Sequence, residues 1–137
     1  MQISELMSAD VCVIAPDDTL GRAAGVMAKH DIGSLPVGDN DRLVGFITDR
    51  DIVTRAVANG RGADMLVRDV MSTDVKYCFE DEDVEQVAAN MAELQMRRLP
   101  VVNRDKRLVG IVSLANFAHG GDAYASQELL RGVAMPH

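Results

Sequence analysis

The stretch Gly45 to Ile52 reads GFITDRDI, and it sets Thr48 and Asp51 three residues apart where an apolar run stops. That spacing serves two chemistries. In one, a hydroxyl and a carboxylate cap the start of a helix, each accepting from a backbone N–H the helix leaves unpaired. In the other, a ligand bearing hydroxyls and phosphates docks there, because a helix start also favours anions. Residue types alone favour the cap and leave the ligand open. A second stretch, Ser113–Leu114–Ala115–Asn116, keeps the spacing with Asn in place of Asp.

The other reactive side chains form no constellation. Cys12 and Cys78 lie in separate apolar segments without CxxC spacing, which reads as buried free thiols rather than a redox pair. His30, His119 and His137 are scattered. There is no GxSxG, HExxH or Walker sequence and no His/Cys cluster at metal spacing, so neither an enzyme, a metal site nor a cofactor is expected.

Bulk properties narrow the field further. Apolar residues make up 47% of the 137 and aromatics 4%, which implies an aliphatic core. Most of the eight methionines are expected at helical spacing within it. A net charge of −7 argues against nucleic acid, whose binding rests on basic residues. No run of about 18 apolar residues marks a membrane span. The start, MQISELMSAD, has neither a basic end nor an apolar stretch, so a cytoplasmic location is expected.

What must position these residues is a duplication. ISELMSADV (Ile3–Val11) aligns with VRDVMSTDV (Val67–Val75), SLPV (Ser34–Val37) with RLPV (Arg98–Val101), and RLVGFIT (Arg42–Thr48) with RLVGIVS (Arg107–Ser113). Three blocks in one order with a single inserted residue define a repeat. Each copy predicts a short strand, Val11–Ile14 or Val75–Cys78. A helix follows, with Leu20, Ala23, Ala24 and Met27, or Val84, Val87, Ala88 and Met91, on its apolar face. Asp83 with Gln86 suggests a capping box there. A hairpin comes next, turning through Gly38–Asp41 or Asn103–Lys106. A last helix starts near Arg50 and fades at Asn59–Gly62. The first connection is a crossover, so strands one and two should be parallel. The acidic Asp39–Asp41 and Asp81–Asp83 read as solvated loops. The expected fold is α/β (α+β): two βαββα units, residues 1–62 and 63–120, packed about a pseudo-twofold axis through their small sheets. Residues 121–137 would be a tail or short helix.

These residues carry a resemblance. MSADV, IGSLPV and RLVGFITDRDI, with MSTDV, MRRLPV and RLVGIVSLANF in the second copy, resemble a tandem pair of CBS domains, a Bateman module, over about Gln2 to Phe117. Length and order are most similar to the stand-alone bacterial proteins of this kind. The resemblance implies a non-catalytic, regulatory sensor that binds an adenosyl ligand (AMP, ADP, ATP, S-adenosylmethionine or NAD) in clefts between the copies. It also implies homodimerisation and an effector protein of unknown identity. The alternative is a ligand-free dimerisation or scaffold module.

Carried over residue by residue, the resemblance implies a first cleft of Thr48, Arg50, Asp51, Lys76, Met96, Arg97 and Arg98. Asp51 would hold the ribose, since one carboxylate can accept from both hydroxyls of a cis diol. Lys76, Arg97 and Arg98 would supply positive charge, and Met96 or Ile32 would flank the base. A second, weaker cleft would use Cys12, Ile32, Ser34, Ser113 and Asn116. There Asn116 offers one neutral oxygen where Asp51 offers two charged ones, and Leu114 replaces Asp49.

Overall fold

A computed structural model of the chain describes residues 1–120. The expected tail or short helix at 121–137, with His137, lies outside the described residues. Two compact units emerge, Cys12–Val75 and Met1–Val11 joined to Lys76 onward. Duplication cuts the sequence at 62/63, whereas packing cuts it elsewhere: the segment ahead of each repeat belongs to the unit built by the other.

In the Cys12–Val75 unit, helix α1 (Leu20–His30) is capped by Thr19, whose side chain accepts from the Arg22 N–H. It buries Leu20, Ala23 and Met27. Ala24, expected on that face, is exposed and borders a groove instead. The helix ends with Asp31 left-handed at φ 52°, and the Ile32 N–H donates to the Met27 carbonyl at 3.0 Å. This helix-ending bond lays an apolar residue back on the last turn, and Ile32 accordingly packs on the core. Strands β1 (Ser34–Asp39) and β2 (Arg42–Thr48) pair antiparallel, Asp39 opposite Arg42. The two residues between them, Asn40 and Asp41, are both left-handed, as a tight hairpin turn requires. The expected first strand is reduced to one parallel bridge, Ile14 to Val37. Its parallel sense is as expected, but Val13 is 44% exposed. The helical run 49–59, α2, opens as α-helix (Asp49–Asp51), widens across Ile52–Ala56, tightens at Val57–Asn59 and stops at left-handed Gly60.

The other unit repeats the scheme. Strand β3 (Cys78–Phe79) runs parallel to β4 (Arg98–Val102), which pairs antiparallel with β5 (Leu108–Ser113). Helix α3 (Val84–Leu94) buries all four expected residues, Val84, Val87, Ala88 and Met91. Asp83 caps it by accepting from the Glu85 N–H. The capping box with Gln86 is not formed, because the Gln86 amide donates to Asn90. Helix α4 (Leu114–Gly120) follows β5.

Each exchanged segment docks the same way. Phe46 and Ser72 trade backbone bonds at 2.9 and 2.8 Å in one unit, as Ser8 and Ile111 do at 2.9 Å in the other. The segments approach the glycine of each RLVG. A Cβ on Gly45 would stand 2.5 Å from the Met71 sulfur, and one on Gly110 2.5 Å from that of Met7. Met7 and Met71 are thus docking residues, not members of a helical stripe. Ile3 and Val67, both fully buried, complete the two cores.

Candidate functional site

At the open end of the first hairpin Ser34 lies opposite Thr48. The Asp49 N–H donates to the Gly33 carbonyl at 2.9 Å, flanking the pair and making it the closely spaced kind. Thr48 is extended (φ −119°, ψ 161°), and the chain turns helical directly after it. Its Oγ1 accepts from the Asp51 N–H at 3.0 Å, while its own N–H donates to Asp51 Oδ2 at 3.0 Å. The capping arrangement is therefore formed, and it uses one carboxylate oxygen. The other, Oδ1, faces Arg55 Nε at 3.9 Å, and the Asp51 side chain is 19% exposed. Arg55 also donates to the Val70 carbonyl at 3.1 Å. A Cβ on Gly33 would stand 2.9 Å from Asp49 Oδ2, so a larger residue there would displace the exposed Asp49 carboxylate. Arg50 is exposed, and Cys12 is half-buried against the core of this unit.

At the matching end of the second hairpin Arg98 lies opposite Ser113, and the Leu114 N–H donates to the Arg97 carbonyl at 2.9 Å. Here Asn116 Oδ1 accepts twice from Ser113, from its N–H at 2.8 Å and its hydroxyl at 2.9 Å. The single acceptor of the amide is spent on the cap, and what Asn116 has left are N–H donors. Leu114 and Met96 pack against the core. Arg97 and Lys76 are exposed, and Arg98 is half-buried. Arg98 Nε is, among the described residues, the buried side-chain polar atom without a hydrogen-bond partner.

The strand register therefore gathers the expected residues by unit. Ser34, Thr48 and Asp51 meet at one hairpin end, and Arg98, Ser113 and Asn116 at the other. Ser34 and Arg98 each become neighbours of a hydroxyl that the resemblance places in the opposite set. That pairing was available from the hairpin register. Arg55 was missed, although its place four residues after Asp51 on a helix is the signal for such a contact.

Cys78 is buried, and burial first, then the charge of Glu82, pushes its thiol up from 9.0 to about 12. It carries no thiolate at neutral pH. Among the described residues no group of three His, Cys, Asp or Glu could hold a metal ion, and no helix is long and apolar enough to cross a membrane. An apolar groove of about 130 Å³ runs between α1 and α2, lined by Leu20, Ala24, Ile52, Ala56 and Val57.

The CBS domain family model matches residues 3–58 and 67–119. The chain is 37% identical over 116 residues to CBS domain-containing protein YhcV of Bacillus subtilis, covering 85% of this chain and 82% of that one. It is 35% identical over 134 residues to Hypoxic response protein 1 of Mycobacterium tuberculosis, covering 96% and 93%. A crystal structure of Hypoxic Response Protein I with two coordinated zinc ions superposes at a TM-score of 0.79, with 36% identity over 88% of this chain and 98% of that one. The CBS domain pair of protein MJ0100, in complex with 5′-methylthioadenosine and S-adenosyl-L-methionine, gives a TM-score of 0.74 at 29% identity, covering 86% and 93%. CBSX2 in complex with AMP gives 0.73 at 25% identity, covering 85% and 93%.

Proposed function

This chain belongs to the CBS domain family, and from that premise we propose that it is a non-catalytic regulatory module that binds an adenosyl ligand, with Asp51 as the ribose anchor. The observation that carries the reading is the divided use of the Asp51 carboxylate. Oδ2 closes the cap at 3.0 Å, while Oδ1, among the described residues, meets Arg55 at the longer 3.9 Å and can accept from a diol. Two structurally similar proteins hold AMP, or 5′-methylthioadenosine and S-adenosyl-L-methionine, which supports this ligand class. Within the same proposal Thr48 and Arg50 flank the ribose. Lys76, Arg97 and Arg98 balance a phosphate, and Ile32 or Met96 meets the base. Cys12, Ser34, Ser113 and Asn116 belong to the weaker site. A cytoplasmic homodimer that reports occupancy to an effector protein completes the proposal.

The test separates cap from ligand. Asn116 shows that an amide oxygen can accept from the backbone N–H three residues before it at such a turn, so Asp51→Asn can keep that bond while removing the charge. The chain is heated with AMP, ATP, S-adenosylmethionine or NAD at about 100 times Kd. The cognate ligand should add ~2.7 kcal/mol, a rise of several degrees, and Asp51→Asn should erase the rise while leaving the unliganded melting point in place. An unchanged rise in that variant would remove Asp51 from the site.

A ligand-free dimerisation or scaffold role is favoured by one feature, the apolar groove lined in part by Val57, which is 62% exposed. No thermal response to any of the four ligands, with a dimer in sedimentation, would select it.

A further inference from the structure

Arg55 holds two partners that belong to different parts of one unit. Its Nε faces Asp51 Oδ1 at 3.9 Å, and its Nη1 donates to the Val70 carbonyl at 3.1 Å. Asp51 lies in the first turn of α2, whereas Val70 lies in the segment that docks on β2 through Ser72. Val70 is itself buried in the core of this unit. Arg55 sits in the widened turn Ile52–Ala56, a kind of helical irregularity that recurs at functional sites. Side chains on the same run answer two of its backbone carbonyls: the Thr54 hydroxyl donates to that of Arg50 at 2.8 Å, and the Asn59 amide to that of Arg55 at 3.0 Å. With Arg55 exposed, its pair with Asp51 is weak as an ion pair alone. What matters is that a guanidinium is flat and rigid, so whatever moves its Nε also moves its Nη1. The second copy lacks both charges, with Asn116 where the first has Asp51 and Gly120 where it has Arg55.

We propose that Arg55 is a positioning residue that couples Oδ1 of Asp51 to the seating of the segment Val67–Val75. As a route by which occupancy is reported, the inference rests on Asp51 being the ribose anchor. A diol that takes Oδ1 occupies the acceptor that Arg55 faces, so an occupied carboxylate and a neutral amide look alike to the guanidinium. Released at that end, Arg55 holds Val70 less tightly, and the segment opens from β2 more often. The chain runs on from this segment, past Val75, into the other unit. The first copy thus carries a linkage that the second does not. By reciprocity the segment biases ligand affinity to the same degree.

Native-state hydrogen exchange on the full chain reads the segment at the Ser72 N–H, which donates to the Phe46 carbonyl at 2.8 Å. The Ser8 N–H, which donates to the Ile111 carbonyl at 2.9 Å, is the matching reporter in the unit without this linkage. Asp51→Asn should speed Ser72 exchange by about fivefold or more and leave Ser8 unchanged. Arg55→Gln should speed it too, and adding Asp51→Asn to Arg55→Gln should change nothing further. Arg55→Lys keeps the charge but reaches one partner at a time, so it should uncouple as Gln does. AMP, ATP, S-adenosylmethionine and NAD are then each added at saturation. The one that binds should speed Ser72 exchange in the unaltered chain and not in Arg55→Gln, which should bind it about fivefold or more tighter. Effects of Asp51→Asn and Arg55→Gln that simply multiply overturn the coupling, as does Ser72 exchange unmoved by Asp51→Asn. A ligand whose binding still depends on Asp51 would then leave the ribose reading intact. Non-additive variants with none of the four ligands bound sink the ribose reading instead, and leave the coupling of position 51 to the segment standing.

Discussion

At one hairpin end Thr48 and Asp51 exchange two bonds of 3.0 Å, and at the other Ser113 sends two bonds of 2.8 and 2.9 Å to the one oxygen of Asn116. At both, the side chain three residues on accepts from the backbone N–H of the hydroxyl residue. The contrast teaches that the cap does not need a carboxylate. Holding the turn explains a polar residue at position 51; it does not explain a charged one. The excess, one charged oxygen in a half-buried side chain, is what the ligand proposal rests on. The second copy, having spent its acceptor, keeps a cation instead.

The largest expected effect breaks this comparison outright. Asp51→Ala removes cap and anchor together. It should lose about 0.5–2 kcal/mol of stability and at least about tenfold in adenosyl-ligand affinity. Asn116→Ala should lose stability alone, measured by urea unfolding beside calorimetric titration. Equal affinity losses in the two variants would erase the asymmetry.

The docking glycines come next. Gly110→Ala should cost about 1–3 kcal/mol and Gly45→Ala less, read from urea midpoints. A methyl at 110 would meet the Ser8 carbonyl at 2.9 Å as well as a methionine sulfur. At 45 the carbonyl of Ser72 stands at 3.1 Å, and the close contact is the flexible Met71 side chain. The reverse order would show that the two segments dock unequally in the other sense.

The smallest effect is invisible at neutral pH. The Cys78 thiol is held up at about 12 in the fold against 9.0 ordinarily, so the unfolded chain loses its proton first. The contribution is fully present below pH 9 and is lost as pH climbs toward 12. Cys78→Ala should flatten that alkaline slope in denaturation curves. A slope unchanged by the substitution would place its origin elsewhere.

Much of this was legible in the sequence because it is periodic. The apolar stripe of α3 and both hairpins follow from spacing alone, and Ser-x-x-Asn beside Thr-x-x-Asp announced the unequal ends. The first strands were not legible. Val11–Ile14 looks apolar, yet only Ile14 finds a strand to join. The Asp83–Gln86 box failed because Asn90 offered Gln86 a partner one helical turn on. Nor does a repeat say which copy its leading segment packs against. The signal was present, however: a glycine inside an apolar strand marks a close backbone approach, and a Met-Ser pair recurs at nearly the same offset.

The exchange of leading segments also dictates a timetable. A ribosome releasing this chain can close the core of Cys12–Val75 while the second hairpin is still unmade. Ile3 and Leu6, which precede that core in the chain, must wait for residues more than seventy positions later before they are covered. A segment made ahead of the first core is thus covered only after that core has closed.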